Sequence, residues 1–470
     1  MEPDACYDAL RARDHRFDGV FFVGVTTTGV YCRPICPART PGRDRCRFFR
    51  SAAAAEREGF RACFRCRPES APGLAPTEAS AQLVAAATRR IEAGFLNDHS
   101  LEELADGLEV TARHLRRTFK QELGVTPNEL ARSRRLGVAR QLLTETALPV
   151  TDVAFAAGFR SIRTFNTGFL ERFGRPPSAM RRAADAEPAL RLRLSYRPPF
   201  DWPALLAFLG ARAIPGVERV SGDVYARAAQ VGGLRGQVTV RPAAGDALLV
   251  QLDPGLAPRL MEVVQRIRRL FDLDARPGRI AEALGRCPTL APRVARSPGL
   301  RVPGAFDPFE LSVRVVLGQM VSVKAATTLS GRLVARFGVP IDAEGLTHTF
   351  PDAARLARAS AEEVAAIGLP LARARAIVAL AGWAQTHRFD GVQPEATARQ
   401  LLALPGIGPW TVQAIAMRTG WPDAFPAGDL ILRRRLGVDS AAEAERAVEP
   451  CRPFRAYAAM HLWHDPGDTP

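Results

Sequence analysis

Residues 401–418, LLALPGIGPWTVQAIAMR, decide how the C-terminal half of this sequence is read. A short helix over 397–404, with Thr397 as N-cap, is expected to lead into Pro405-Gly406-Ile407-Gly408, and a second helix to start near Pro409. Gly406 and Gly408 permit a tight turn whose backbone N–H groups can approach a DNA phosphate, helped by the N-terminus of the next helix. This is a helix-hairpin-helix pattern. Just beyond it, FPAGDLILRR (425–434) sets a carboxylate, Asp429, after a Gly/Pro-rich loop, where it can also cap a helix.

Outward from that point, the pattern is helical from about Pro308 onward. Upstream, Leu190, Leu192, Leu194 and Tyr196 alternate with Arg191, Arg193 and Ser195, the period of a half-buried strand. Residues 237–241 and 247–252 are further expected strands, flanking a turn at 242–246.

Residues 77–183 are helical in pattern. Ser100 followed by Glu103 is a helix start, with Leu101, Leu104 and Ala105 as the apolar face and Gly107 as the stop. A helix over about 111–123 turns Leu115, Phe119 and Leu123 inward and leaves Arg113, His114, Arg116, Arg117 and Lys120 largely outside. The same plan recurs at 150–157, the Gly158 turn, and 161–173 with Phe165, Phe169 and Phe173. A long helix over 127–143 joins the two helix-turn-helix units.

Residues 1–75 hold six of the eight cysteines. Cys32 and Cys36 are separated by three residues, Cys63 and Cys66 by two, with 26 residues between the pairs. Each pair can clamp one side of a tetrahedral Zn²⁺. A segment this small has little core, and a metal is a common remedy. Cys46 lies in the intervening loop, so a ligand swap stays open; Cys6, Cys287 and Cys451 are isolated and read as packing residues.

At 470 residues the chain is too long for one ordinary domain. Hydrophobic residues at 47% and charged ones at 24% exclude disorder and fibrous structure. No apolar run approaches the ~18 residues of a membrane span, and the charged N-terminus has no signal core. A cytoplasmic, reducing setting is therefore expected, with no disulfide framework. Lys+Arg 64 against Asp+Glu 49 gives a net charge of +15, which favours a polyanionic partner. Lysine occurs only at Lys120 and Lys324, so the basicity is almost all arginine.

The strings TTTGVYCRPIC and EGFRACFRCRP resemble the N-terminal domain of the Ada family of alkylation-damage response proteins. The resemblance implies that Cys32 irreversibly accepts a methyl group from a DNA methyl phosphotriester, with Cys36, Cys63 and Cys66 as the other zinc ligands. Zinc keeps sulfur as thiolate, the nucleophilic form. Four thiolates on Zn²⁺ carry −2 and repel phosphate; methylation leaves −1. One unit of charge at ~4 Å is worth roughly 4 kcal/mol before screening, so methylation should strengthen DNA binding. Arg39, Arg65 and Arg67 are expected to hold the DNA backbone.

TDVAFAAGF and FNTGFLERFGRPPSAMRR resemble the AraC-type DNA-binding domain, with base-reading side chains drawn from 111–120 and 161–168 and RNA polymerase as an implied partner. Full-length Ada proteins carry a second methyltransferase domain with a Pro-Cys-His-Arg motif. That motif is absent, and Cys451 sits in EPCRPFR instead.

GAFDPFELSVRVVLGQMVSVKAA, LPGIGPWT, GDLILRR and FRAYAAMHLW occur in the order of the AlkA-type 3-methyladenine DNA glycosylases, a likeness spanning roughly 187–470. In that family the aspartate matching Asp429 is catalytic. An alkylated purine is cationic and leaves as a neutral base, so the enzyme stabilises positive charge developing at the sugar. A carboxylate does so, and can also orient or deprotonate water. The base is flipped out of the duplex and held by aromatic faces, for which Trp410 and Trp463 match the family's pocket residues; cation–π attraction of roughly 0.5–2 kcal/mol favours the damaged base. Met320 matches the wedge that fills the gap. Ala414 and His464 stand where well-known relatives carry tyrosines, which implies a roomier pocket. A monovalent cation at the hairpin would be held by the carbonyls of Leu402, Leu404 and Ile407.

The expected fold class is multidomain α+β. It comprises a small zinc domain (1–75), an all-α double helix-turn-helix domain (77–183), a small antiparallel-sheet α+β domain (187–300) and an all-α helix-hairpin-helix glycosylase domain (301–470). The expected function is a monomeric, methyl-phosphotriester-sensing regulator fused to a glycosylase for alkylated purines, acting on double-stranded DNA. The alternative is a purely regulatory DNA-binding protein whose glycosylase-like half no longer cuts.

Overall fold

The computed structural model describes residues 2–72, 82–181, 190–389 and 394–464. The expected junctions at 75–77 and 183–187 lie outside them. The chain forms two compact units, Met1–Pro198 with Ala243–Gln265, and Pro199–Pro242 with Arg266–Pro470.

The first unit opens with a four-stranded sheet. Strands Phe22–Val25 and Val30–Cys32 form a hairpin closed at Gly29, whose φ of 64 suits the turn. Cys46–Phe49 pairs antiparallel with the first strand, and Arg61–Ala62 pairs parallel with the second. The apolar cluster beside the sheet is small: Cys6, Ala9, Leu10, Phe21, Val23 and Cys46. So few buried side chains contribute little stability alone.

The helix-turn-helix segment matches its sequence signals closely. Ser100 and Glu103 make a reciprocal capping box on helix Leu101–Asp106. Thr111 caps helix Ala112–Leu123, whose Leu115, Phe119 and Leu123 are buried. Helix Pro127–Glu145 runs two residues past its expected end. Helices Val150–Ala156 and Ile162–Phe173 follow, with Phe165, Phe169 and Phe173 in successive ring contacts at 5.4 and 4.6 Å. Strand Leu190–Ser195 pairs antiparallel with Ala247–Leu252 along its whole length.

In the second unit, Glu218–Ser221, Val224–Val231 and Leu234–Ala243 form an antiparallel meander. The first two strands were not expected. VYARAAQV is buried at six of its eight positions, so it lacks the alternation that marks a half-exposed strand. Helices then dominate, around cores that include Val313, Leu333, Leu380 and Ile415 in one cluster and Leu284, Leu432, Tyr457 and Leu462 in another.

Two expectations fail here. A hairpin, Val339–Ala343 with Leu346–Thr349, interrupts the region read as wholly helical; its strands are too short to carry a period, and Gly345 (φ 70) makes the turn. The helix before the hairpin turn is Pro394–Leu402, which starts three residues before Thr397. Thr397 is buried inside that helix and does not cap it. Among the described residues no helix is long and apolar enough to cross a membrane.

Candidate metal centre and active site

Strand register explains how two distant cysteine pairs meet. Tyr31 stands opposite Ala62 in the parallel pair, so Cys32 and Cys63 follow side by side, and the Cys63 amide donates to the Tyr31 carbonyl at 3.0 Å. Cys36 and Cys66 then fold back, and the sulfurs of Cys32, Cys36, Cys63 and Cys66 all lie within 4.8 Å of one another. A tetrahedral zinc–sulfur site with bonds of about 2.3 Å implies sulfurs just under about 4 Å apart. Cys36 Sγ and Cys63 Sγ are 3.9 Å apart, which fits.

Backbone amides support the sulfurs as acceptors: Arg33 N–H donates to Cys66 Sγ at 3.3 Å and Arg65 N–H to Cys63 Sγ at 3.4 Å. Cys32 is half-buried; the other three are buried. Cys46 is not in the group. Its thiol donates to the Gly42 carbonyl within the apolar cluster, which closes the question of a ligand swap.

Arginines from the helix-turn-helix segment clamp this centre. Arg140, on Pro127–Glu145, donates to the Cys63 carbonyl at 3.2 Å, pairs with Glu69 at 3.1 Å and lies over the Phe64 ring. Arg172, on Ile162–Phe173, donates to the Phe60 carbonyl at 3.1 Å and pairs with Glu56. Arg39 and Arg65 are exposed. Arg67 is turned inward, bonding Thr144 at 2.8 Å and Glu145 at 2.8 Å. On the two second helices, Arg113, His114, Arg116, Arg117 and Lys120, and Ser161, Arg163, Thr164, Asn166 and Thr167, are exposed.

In the second unit, Gly406 (φ 73) turns the chain between helices Pro394–Leu402 and Pro409–Arg418, and Gly408 is the N-cap of the latter. Within the turn the Leu404 carbonyl already accepts from the Ile407 amide at 3.2 Å. Helix Pro409–Arg418 carries Trp410; Gln413 accepts from the Phe425 amide at 3.0 Å and so fixes the loop before Asp429. Asp429 caps helix Leu430–Leu436, accepting from Ile431 N–H at 3.0 Å and Leu432 N–H at 3.1 Å.

Both sequence-selected tryptophans converge on that carboxylate. Trp410 Nε1 donates to Asp429 Oδ2 at 3.3 Å, and Trp463 Nε1 to Asp429 Oδ1 at 3.2 Å. Four donors thus orient one partly exposed anion. Ala414 is buried nearby in sequence, on the same helix as Trp410. Met320 lies in the loop between helices Pro308–Leu317 and Val323–Phe337, is 98% exposed, and has a left-handed φ of 56. Glu310 and Arg314 moor the first of those helices to Arg227 and Glu218 through buried ion pairs of 2.7 and 2.8 Å.

Arg140, Arg172 and Gln413 were not singled out from sequence. Each acts through a partner distant in the chain, and no local pattern marks such a residue.

Four family models match in order: the metal binding domain of Ada over residues 5–69, a helix-turn-helix domain over 104–183, the AlkA N-terminal domain over 191–307, and the HhH-GPD superfamily base excision DNA repair protein over 313–449. A Mycobacterium tuberculosis protein named probable bifunctional transcriptional activator/DNA repair enzyme AlkA is 43% identical over 98% of this chain and 96% of its own length. DNA-3-methyladenine glycosylase 2 of Escherichia coli K12 is 38% identical over 59% of this chain and 98% of its own. The bifunctional transcriptional activator/DNA repair enzyme AdaA of Bacillus subtilis is 30% identical over 40% of this chain and 86% of its own. The solved 3-methyladenine DNA-glycosylase of Archaeoglobus fulgidus shares the fold, with a TM-score of 0.52 at 21% identity, over 58% of this chain and 96% of that one. With likeness running almost end to end and all four domain models in order, the chain belongs to the family of bifunctional Ada/AlkA transcriptional activator and DNA repair proteins.

Proposed function

We propose that this protein senses DNA methyl phosphotriesters at Cys32, activates transcription through residues 77–183, and hydrolyses the N-glycosidic bond of alkylated purines at Asp429. The observation that carries the enzymatic reading is the convergence of Trp410 and Trp463 on the two oxygens of Asp429. The indole and backbone donors hold the carboxylate in one orientation beside aromatic surface. A cationic purine is attracted to that surface. As the C–N bond lengthens, Asp429 stabilises the sugar's positive charge and receives the proton of the attacking water.

At the other centre, Cys32, Cys36, Cys63 and Cys66 would hold Zn²⁺, which when bound keeps their sulfurs as thiolates at neutral pH. Cys32, the half-buried one, attacks the methyl carbon; the C–O bond breaks and the phosphodiester anion leaves. The exposed Arg39 and Arg65 hold the DNA backbone, and the loss of one negative charge raises affinity for the promoter, where RNA polymerase is engaged. Arg67 is committed to Glu145 and Thr144, and its share in the DNA contact is correspondingly less.

Single-turnover excision of 3-methyladenine tests the enzymatic half: the wild type should release the base, and Asp429→Asn, which keeps the helix cap, should lose at least about 100-fold. Equal rates, or no release by the wild type, would leave a regulator alone. After exposure to methylated DNA, mass spectrometry should find one added methyl, on the Cys32 peptide, and none in Cys32→Ser.

A further inference from the structure

The loop that presents Met320 has little to hold it. Met320 is almost wholly exposed, and Val321 and Val323 beside it are exposed apolar residues. Its backbone is in the left-handed region, which a non-glycine side chain adopts only when its surroundings hold it there. Gly318 ends the preceding helix and Ser322 caps the next, so Gln319, Met320 and Val321 span the gap. A side chain driven into a base stack meets resistance, because unstacking costs a few kcal/mol per step. A loop held only by its two ends would yield before the stack does.

One side chain supplies the missing hold. Gln319 Nε2 donates to the Gly406 carbonyl at 3.0 Å and to Thr411 Oγ1 at 2.9 Å. These acceptors flank the hairpin turn: Gly406 is its left-handed residue, and Thr411 is buried in the first turn of the next helix. In a helix-hairpin-helix the turn is also where backbone amides would face a phosphate. Both hydrogens of one amide are thus given to the element that grips the duplex, from the residue next to the one that would enter it.

We infer that Gln319 is a positioning residue: it straps the Met320 loop to the helix-hairpin-helix, so that gripping the backbone sets the point at which Met320 enters the base stack. The inference rests on the glycosylase reading. No other amino acid of this length offers two uncharged donors at one terminal atom; glutamate has the shape but only accepts, and would oppose the Gly406 carbonyl.

The test uses the full chain and a duplex with 2-aminopurine beside a non-cleavable abasic-site analogue. Fluorescence reports unstacking whether or not any bond is cut. Gln319→Ala should weaken the unstacking response about tenfold, the effect of losing two neutral hydrogen bonds, with affinity for short undamaged duplex within about twofold of wild type. Thr411→Val, which removes one acceptor and keeps its shape, should give a smaller loss in the same direction. If Gln319 acts through Met320, Gln319→Ala in a Met320→Ala background should add nothing. An additive double variant, or a Gln319→Ala response equal to wild type, would overturn the proposal. A wild type that unstacks but does not excise leaves the strap standing and removes the enzymatic reading; one that does neither removes both.

Discussion

Arg172 donates a 2.8 Å hydrogen bond to the hydroxyl of Tyr31, the residue immediately before Cys32. That hydroxyl in turn donates to Glu56 at 2.7 Å. The second helix of the second helix-turn-helix unit is therefore fastened to the strand that ends in the candidate methyl acceptor.

Arg172→Met should lower the stability of the first unit by about 1–3 kcal/mol, because it leaves the half-buried Glu56 without its cation. Arg116→Ala, which removes an exposed pair with Glu102, should cost less than about 1 kcal/mol. Urea unfolding followed by hydrogen exchange at 29–32 and 60–63 distinguishes the two.

Trp410→Phe and Trp463→Phe each keep an aromatic face and remove one indole donor to Asp429. A hydrogen bond to a charged group is worth about 1.5–3 kcal/mol, so single-turnover excision should fall at least about tenfold in each. Thermal stability should move little, since Ile431 and Leu432 still bond the capping oxygen.

Two titratable groups should give opposite responses to acid. Burial pushes His461 down to about 4, and its Nδ1 lacks a hydrogen-bond partner. Between pH 6.5 and 4 the unfolded chain takes up a proton that the folded chain refuses, so this group lowers stability as pH falls. His461→Phe should reduce that acid sensitivity by up to about 3 kcal/mol.

Burial pushes Asp272 up to about 6, where Tyr457 donates to it at 2.8 Å. Here the folded chain keeps a proton that the unfolded chain has released, so stability falls as pH rises from about 4 to 6. Asp272→Asn should remove that decline. Urea midpoints for wild type and both variants at pH 4.5 and 6.5 check the two signs.

A zinc chelator at neutral pH should release one metal ion per chain and lower the unfolding temperature of the N-terminal module, whose apolar cluster is small. Cys36→Ser should lower both the metal content and that temperature, measured by a colorimetric zinc assay and calorimetry.

Much of this organisation was legible in the chain. Cysteine spacing gave the four-sulfur group, and the Ser100–Glu103 and Thr111 signals gave the helix-turn-helix starts, because caps and metal clamps are local chemistry. The converging pair Trp410 and Trp463 was found only through family likeness, since 53 positions separate them. Val224–Val231 escaped notice because a strand buried on both faces does not alternate. Arg140 and Gln319 escaped because a long-range hydrogen bond leaves no trace in the neighbouring residues.

Asp429 ends one loop, starts one helix and faces both indoles, so its place is fixed by structural duties as well as by chemistry. Any replacement must satisfy the cap before it can alter the reaction. Neither Ala414 nor His464 is among the four donors that hold the carboxylate. On the proposed reading, divergence in lesion preference would be channelled into positions such as these, while the anion stays put: a repertoire could broaden or narrow without disturbing the carboxylate's anchorage.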